Sequence, residues 1–277
     1  MSKSKQRWHD WRGAVAGSLV VIAIALSGIL APWITPYNPE KADFSVALKP
    51  PSAKHWMGTD SLGRDLLSRT LFGIRVALET SLIAIAAGLI LGTPLGLISG
   101  FGCGWFDRIL MVFVDSILAF PYILLAIALI TILGAGELAI ILAIGIWTAP
   151  TYIRLVRSLA LSIRETEYVI AAKSIGCTRG RILLSHVAPQ CVTAIIIHTT
   201  FQVPRAILLE SSLSFLGLGL QPPKASLGGL VEAGRTYLHL APHISMGPGI
   251  VILLIVLGFN MAGDTLRDAL DPRLVKR

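Results

Sequence analysis

The sequence predicts an all-α membrane protein with six transmembrane helices. Hydrophobic residues make up 54% of the 277 residues and charged residues only 14%, whereas about a quarter of an average soluble domain is charged. The mean hydropathy is +0.72. A soluble fold keeps about a quarter of its chain's surface in water, and this chain has too few polar side chains to cover it. The composition therefore excludes a free-standing soluble enzyme, a disordered chain and a collagen-like chain.

Six apolar segments account for the predicted helices, because one crossing of a bilayer takes about 20 apolar residues. The fourth segment meets Pro150 and the fifth is interrupted by Pro204, and such breaks are tolerated when neighbouring protein satisfies the freed backbone groups. The first segment is longer than the apolar core of a signal peptide and lacks a clear cleavage site, so we expect it to be retained. The approximate bounds are 13–35, 76–100, 106–133, 138–153, 187–213 and 246–263.

The distribution of positive charge predicts the orientation. The net charge is +8, and the segments placed inside by an inner N-terminus carry about twice as many Lys and Arg residues as those placed outside. We therefore expect both termini in the cytoplasm and the bilayer as the surrounding medium. The predicted parts are a tail over 1–12, a single membrane domain over 13–277, outer loops 36–75 and 214–245, and an inner loop 154–186.

Several kinds of site are not expected. The 3 cysteines, Cys103, Cys177 and Cys191, contain no CxxC pair and predict neither a disulfide framework nor a zinc site. His239 and His243 are four residues apart, but Pro242 between them argues against a helical metal site. No basic stripe with interleaved aromatic residues predicts a nucleic-acid partner.

Catalytic motifs are also missing from the sequence. There is no GxxxxGK[ST] phosphate loop, so the chain is not expected to hydrolyse ATP itself. There is no HExxH or GxSxG pattern, so zinc-protease and serine-hydrolase chemistry have no support. The charges within the apolar segments are isolated and form no catalytic cluster.

The inner loop is the most informative polar segment. Acidic residues near Glu165 and a glycine at Gly176 predict a short helix closed by a left-handed cap. A second short helix is predicted from Arg179 to Val187, leading back to the membrane at Pro189. Two short helices at right angles would form a rigid knob suited to a groove on a cytoplasmic partner. The alternative is a solvated connecting loop.

The spacing within this loop resembles the EAA loop of binding-protein-dependent ABC importer permeases. Ile170 stands where many members have a glutamate, and Gln190 stands where the usual ending has an asparagine. The resemblance implies that the loop docks on a nucleotide-binding subunit. The residues that it assigns to this coupling are Glu167, Tyr168, Ala171, Ala172, Gly176, Ile182 and Pro189.

A second stretch, 55–69, resembles the Gly-Thr-Asp-x-x-Gly-Arg-Asp-x-x-Ser-Arg signature of dipeptide, oligopeptide and nickel permeases, closest to their C-type subunit. Apart from the resemblance, the residue types make Asp60 a candidate N-cap for an amphipathic helix over 61–74. The segment either anchors the outer loop, contacts a solute-binding protein or covers the pathway. The matching residues are Gly58, Asp60, Gly63, Arg64, Asp65 and Arg69.

Two later stretches extend the resemblance over about 13–275. Residues 210–223 are similar to the family's fifth span and the loop after it, and 259–272 to its C-terminal motif. After Pro223 the family commonly has an acid-Trp-Gly sequence, and this chain has Ser226-Leu227-Gly228 instead. This difference weakens the transfer of substrate preference through this loop.

Within the apolar segments, small residues and charges are the candidates for packing and for the pathway. Gly88, Gly92, Gly96 and Gly100 recur every four residues, which lets helices approach closely, either within this chain or at a seam with a second permease. A charge at membrane depth must face protein or water. Such charges either line a pathway or form structural pairs, and they are Asp115, Arg205 and Glu210.

The resemblance implies a type I ABC importer permease in a bacterial inner membrane that works by alternating access. Its implied partners are a homologous second permease, two cytoplasmic ATPase subunits that hold ATP and Mg, and an outer solute-binding protein. The chain itself is expected to bind no cofactor or metal. Small peptides are the first expected substrates, with nickel or metal chelates as the alternative. An ion-coupled secondary transporter and a membrane enzyme are the competing classes.

Overall fold

The computed structural model describes residues 17–102 and 104–270. Within these ranges the regular secondary structure is helical, apart from one isolated bridge between Thr59 and Asp65. The predicted tail 1–12, the start of the first apolar segment and the Asp271-Pro272 end of the C-terminal motif lie outside the described residues.

Eleven α-helices are present in the described ranges, with a 3-10 turn at Phe44–Val46 and a π turn at Leu183–Val187. Their bounds are α1 Gly17–Ile29, α2 Ala31–Ile34, α3 Leu66–Gly102, α4 Trp105–Ala119, α5 Tyr122–Leu133, α6 Glu137–Ile163, α7 Glu167–Ser174, α8 Arg179–Ile182, α9 Ala188–Phe215, α10 Leu227–Arg235 and α11 His243–Leu270.

Four of the described helices are long and apolar enough to cross a membrane: α3, α6, the continuous run Arg179–Phe215, and α11. The pair α4 and α5 passes the same test as a bent fifth span, and α1 is a shorter apolar helix. The all-α prediction is confirmed, and the predicted count of six spans stays a prediction.

The third apolar segment, predicted as one stretch over 106–133, is broken. Helices α4 and α5 meet at 95°. Pro121 disfavours helical geometry at the residue before it, and Phe120 accordingly has φ −76° and ψ 135°. The predicted third segment is therefore present as two helices with a bend at Pro121.

Two helices are longer than predicted. α6 passes through the buried Pro150 and ends at Ile163, ten residues beyond the predicted end of the fourth apolar segment at 153. α3 begins at Leu66 and runs to Gly102, so the separate amphipathic helix predicted over 61–74 does not exist. Proline ends a helix reliably in water, but packed neighbours preserve a membrane helix through it.

Apolar clusters define the two ends of the helix bundle. At one end, α3, α6, α7 and α8 share a cluster that includes Leu97, Val156 and Val169; we call this the knob end. At the other end, Leu66 packs with Leu230 and Ile244; we call this the clasp end. A larger cluster contributed by α3, α5, α6, α9 and α11 fills the bundle between them.

The glycines predicted for helix packing form a seam between α3 and α6. A Cβ added at Gly92 would lie 2.7 Å from the Ala149 oxygen, and one added at Gly96 would lie 2.8 Å from the Ile153 oxygen. Real Cβ atoms do not approach so closely, so only glycine permits this backbone contact. Gly88 and Gly100 meet α6 in the same way. The row therefore packs within this chain.

The seam predicts that Gly92→Ala destabilises the bundle by roughly 1–3 kcal/mol, because the added methyl group overpacks two backbones in contact. Gly249→Ala is the matched control, since a Cβ at Gly249 meets nothing within 4 Å. Heating the detergent-solubilised protein and following its monodisperse fraction measures the effect. Equal heat stability of the two variants would contradict the proposed seam.

Candidate functional site

The knob, residues 164–178, carries the EAA-like pattern and contains α7. Gly176 has φ +85°, a left-handed conformation that suits glycine. The Cys177 N–H donates to the Ala172 oxygen at 3.1 Å and the Gly176 N–H to the Lys173 oxygen at 3.0 Å. This pair of bonds is a Schellman cap. The predicted left-handed cap at Gly176 is therefore confirmed.

The inner face of α7 anchors the knob to the bundle. Val169 and Ala172 are buried in the cluster that contains Val156 of α6 and Ile182 of α8. Lys173 Nζ donates to the Arg164 oxygen at 3.3 Å and lies 5.8 Å above the centre of the Phe101 ring. α7 is therefore packed against the ends of α3 and α6.

The outer face of α7 offers a surface for a partner. Glu167, Tyr168 and Ala171 are exposed. Ile170 is also exposed, and Ile175 is 81% exposed. Apolar side chains grouped on a small protrusion indicate a protein contact. Sequence reasoning treated Ile170 only as a departure from the family pattern, although its spacing from Val169 already placed it on the other face.

The second short helix predicted at Arg179–Val187 is not separate. α8 continues through the π turn Leu183–Val187 into α9, giving one helix from Arg179 to Phe215. Pro189 lies in the first turn of α9 and cannot donate a backbone hydrogen bond, and the wider π turn comes directly before it. The prediction of a short, separate second helix was wrong, and Ile182 and Pro189 belong to the base of the fifth apolar helix.

The three charges predicted for the pathway do not meet. Arg154 Nη2 of α6 donates to Asp115 Oδ1 of α4 at 2.6 Å, and both side chains are more than half exposed. Arg205 is exposed in the middle of α9, and no ion pair to it is found in the part of the chain that the structure describes. Glu210 is fully buried. It accepts hydrogen bonds from the hydroxyls of Ser214 at 2.8 Å and Ser211 at 3.2 Å.

A second ion pair lies nearer the knob on the same two helices. Arg157 Nη2 donates to Asp107 Oδ2 at 2.7 Å, and the Ser99 hydroxyl also donates to Asp107. Neither Arg154 nor Arg157 was singled out from the sequence. Their acidic partners lie 39 and 50 residues away, and no sequence spacing links groups so far apart.

At the clasp end, the residues 55–69 form a compact structure that we call the clasp, and Asp60 is its centre. Asp60 Oδ1 accepts from the backbone N–H groups of Leu62 and Arg64, both at 2.9 Å. Asp60 Oδ2 lies 2.7 Å from Arg64 Nε and 3.4 Å from Arg69 Nε. Asp60 is only 3% exposed, so these pairs are screened little by water.

Asp65, rather than the predicted Asp60, caps the following helix. Its Oδ2 accepts from the Ser68 N–H at 2.8 Å and the Ser68 hydroxyl at 2.7 Å. Its Oδ1 lies 2.9 Å from His55 Nδ1. The prediction of Asp60 as N-cap was wrong because the turn at Gly58–Asp65 delays the helix start to Leu66.

Arg69 ties the clasp to two distant loops. Its Nη1 donates to the Pro39 oxygen at 2.8 Å and lies 3.4 Å from the Pro223 oxygen. Gly58 and Gly63 have φ +82° and +72°, so both turns of the clasp need glycine. The polar groups of the clasp thus bind one another and the adjacent loops.

The histidines of the described residues belong to no metal-binding group. His243 begins α11, and its Nε2 lies 3.4 Å from the Thr59 oxygen of the clasp. Within residues 17–102 and 104–270, no group of three or more His, Cys, Asp or Glu side chains is arranged to hold a metal ion.

The clasp predicts a large effect of Asp60→Asn, which leaves the buried guanidinium of Arg69 and the half-buried one of Arg64 without their carboxylate. We expect a loss of about 3 kcal/mol in stability of this end of the molecule. Asp43→Asn is the control, since Asp43 bonds to Ser45 on the exposed surface. Limited proteolysis of the 36–65 segment measures the change. Equal cleavage rates in the two variants would contradict the role of Asp60.

Comparison with known proteins identifies the family. Residues 92–276 match the family described as binding-protein-dependent transport system inner membrane component. Residues 7–51 match the N-terminal transmembrane domain of oligopeptide transport permease C. The first of these matches covers more than half of the chain.

Relatives match over nearly the whole chain. The glutathione transport system permease protein of Pectobacterium atrosepticum is 40% identical over 262 residues, covering 94% of this chain and 87% of the relative. The dipeptide transport system permease protein of Alkalihalophilus pseudofirmus is 42% identical over 261 residues, covering 94% of this chain and 86% of the relative.

Solved structures agree on the fold. An inward-facing methionine ABC transporter has a TM-score of 0.61 at 19% identity, over 74% of this chain and 96% of that one. An amino acid ABC transporter with histidines has a TM-score of 0.58 at 13% identity, over 73% and 94%. The predicted family is therefore confirmed: the chain belongs to the binding-protein-dependent transport system inner membrane components, as a C-type permease subunit of the ABC importer group.

Proposed function

We propose that this chain is one of two permease subunits of an ATP-driven importer that carries small peptides delivered by a solute-binding protein. The proposed substrate class rests on one observation. The chain shares 40% and 42% sequence identity with a glutathione permease and a dipeptide permease, in each case over 94% of its length. The chain then contributes half of one pathway, and a homologous second permease contributes the other half.

The knob is the docking site for a cytoplasmic ATPase subunit in this proposal. Its inner face is fixed by Val169 and Ala172, and its outer face presents Tyr168, Ile170 and Ile175. A rigid base with an exposed apolar tip suits a helix that fits a groove on a moving partner. ATP and Mg belong to that partner, and this chain provides no ATPase site.

The orientation follows from the same assignment. The knob faces the cytoplasm, the clasp faces outward, and both termini are cytoplasmic. Six spans satisfy this arrangement when α1 and the bent pair of α4 and α5 each count as one. Closure of two ATPases upon ATP binding moves the knobs, and the permease pair alternates between inward-open and outward-open states.

The clasp is an outer scaffold in this proposal. Its buried charges hold the loop segment from 36 to 65 against the start of α3. The surface left free includes Trp56, which is 74% exposed. That surface is available to the solute-binding protein.

Uptake measurements test the proposed function. Cells with and without this chain are compared for uptake of a labelled dipeptide and of labelled nickel, each with and without a protonophore. We expect the chain to be required for dipeptide uptake that survives the protonophore but requires the ATPase partners. Loss of nickel uptake alone would indicate that the chain is a permease for nickel or a metal chelate. Uptake that persists without ATPase partners and collapses with the protonophore would indicate an ion-coupled carrier instead.

The knob assignment predicts that Gly176→Val lowers ATP-dependent uptake several-fold while the chain still inserts and assembles. Valine at a positive φ costs roughly 1–2 kcal/mol and distorts the end of α7. Gly180→Val is the matched control, because a Cβ at either position meets nothing within 4 Å and only Gly176 has a positive φ. Normal uptake by the Gly176 variant would count against docking at the knob.

A further inference from the structure

A polar stripe runs along the contact between α6 and α9 at membrane depth. Gln202 Nε2 donates to the Thr151 hydroxyl oxygen at 2.7 Å, and that hydroxyl lies 3.2 Å from His198 Nε2. One turn further along α6, Arg154 pairs with Asp115. The stripe therefore continues towards the knob as a series of groups that can form hydrogen bonds.

Arg205 extends this stripe towards the clasp end. His198, Gln202 and Arg205 are spaced by four and three residues, which places them on one face of α9. Arg205 precedes the end of α9 at Phe215 by ten residues, or about 15 Å along the helix axis. Its side chain is therefore too far from the end of α9 to reach the water outside the membrane.

No acidic partner for Arg205 lies in the part of the chain that the structure describes. The nearest acid along α9, Glu210, is buried and bonded to two serine hydroxyls. Arg154, the other exposed arginine of the stripe, has Asp115 as its partner. An unpaired arginine facing lipid at the centre of a membrane costs at least about 2.5 kcal/mol. Arg205 therefore faces either a protein partner or water.

Two acceptors near Arg205 in sequence lack a usual donor. The Gln202 Oε1 atom is buried and has no hydrogen-bond partner among the described residues. Pro204 has no N–H, so the Thr200 carbonyl lacks its usual helical donor. A guanidinium without an acidic partner is chemically complementary to a group that carries a carboxylate. The C-terminal end of a peptide is such a group.

We propose that Arg205 binds the C-terminal carboxylate of the transported peptide, at the outer end of a polar stripe that also contains His198, Gln202, Thr151 and Arg154. The inference rests on the proposed function and adds a substrate contact to it. The site has one uncompensated positive charge, which selects small peptides with a free carboxylate. The carboxylate accepts hydrogen bonds from the guanidinium, and no covalent step is involved.

Substitution in the reconstituted transporter tests the charge. The complete complex, with its second permease, ATPases and binding protein, is placed in liposomes and supplied with labelled L-alanyl-L-alanine. We expect Arg205→Gln to lower the initial uptake rate by about tenfold or more, the effect of losing a charge-assisted hydrogen-bond pair. Arg205→Lys keeps the charge and should retain most of the rate. Both variants are compared with the parent at equal amounts of assembled complex in the liposomes.

Chemical modification tests the same site without relying on one substitution. Arg205→Cys is made in a chain whose native cysteines are replaced. An aminoethyl methanethiosulfonate then forms a disulfide with the new thiol, releases methanesulfinate and restores a positive charge. A sulfonatoethyl reagent adds a negative charge by the same reaction. We expect the aminoethyl reagent to restore uptake, the sulfonatoethyl reagent to leave it low, and alanyl-alanine to slow both reactions.

Ile196→Cys is the control position. Ile196 is 43% exposed and lies nine residues from Arg205, about 180° around the helix. Its thiol should react slowly, and the dipeptide should not protect it. Parent-level uptake by Arg205→Gln would overturn the proposal. So would an unreactive Arg205→Cys, which would place this side chain against protein or lipid.

The outcome is separable from that of the proposed function. If the parent complex imports alanyl-alanine with ATP and the Arg205 variants do the same, only the carboxylate site is wrong. If the parent complex shows no ATP-dependent import of this dipeptide, the proposed peptide substrate is wrong. In that case the Arg205 variants are tested with the substrate that the complex does import. Their uptake rate is expected to fall only if that substrate carries a carboxylate.

Discussion

Because the four glycines of α3 place no side chain between the helices, α3 and α6 lie backbone to backbone over about 18 Å. The other functional parts are attached to this pair. α3 begins at the clasp, where Asp65 caps it, and α6 ends at Ile163 beside the knob. The seam thus joins the two ends of the molecule as one rigid unit. Under the proposed function, this unit would carry a displacement of the knob to the clasp end.

The polar groups divide into two kinds around this unit. Those of the clasp are buried and paired with one another, so they maintain shape: Asp60 holds two arginines, and Arg69 holds two loops. Those of α4, α6 and α9 are partly exposed at membrane depth, as Asp115, Arg154 and Arg205 are. A lipid-facing surface does not tolerate such charges. This difference in burial separates the scaffold from the surface that we assign to the pathway.

Local patterns in the sequence were enough to predict the family, the apolar helices and the cap at Gly176, because each depends on residues close together in the chain. The predictions failed where the local structure depends on contacts between residues that are far apart in the sequence. Whether a helix stops at Pro150 or bends at Pro121 depends on which neighbours pack there. The capping role of Asp65 depends on a turn that is stabilised by bonds to the 43–49 segment. The partner of Asp115 lies 39 residues away in sequence.

The central claim is that the knob couples an ATPase to the permease, and site-specific photocrosslinking tests it most directly. A photoreactive residue is placed at Ala171, on the outer face of α7, and in a second protein at Leu62, which is 37% exposed in the clasp. The account predicts a crosslink from position 171 to the ATPase subunit whose yield changes with ATP, and none from position 62. No crosslink from position 171, or an equal yield from both positions, would contradict it.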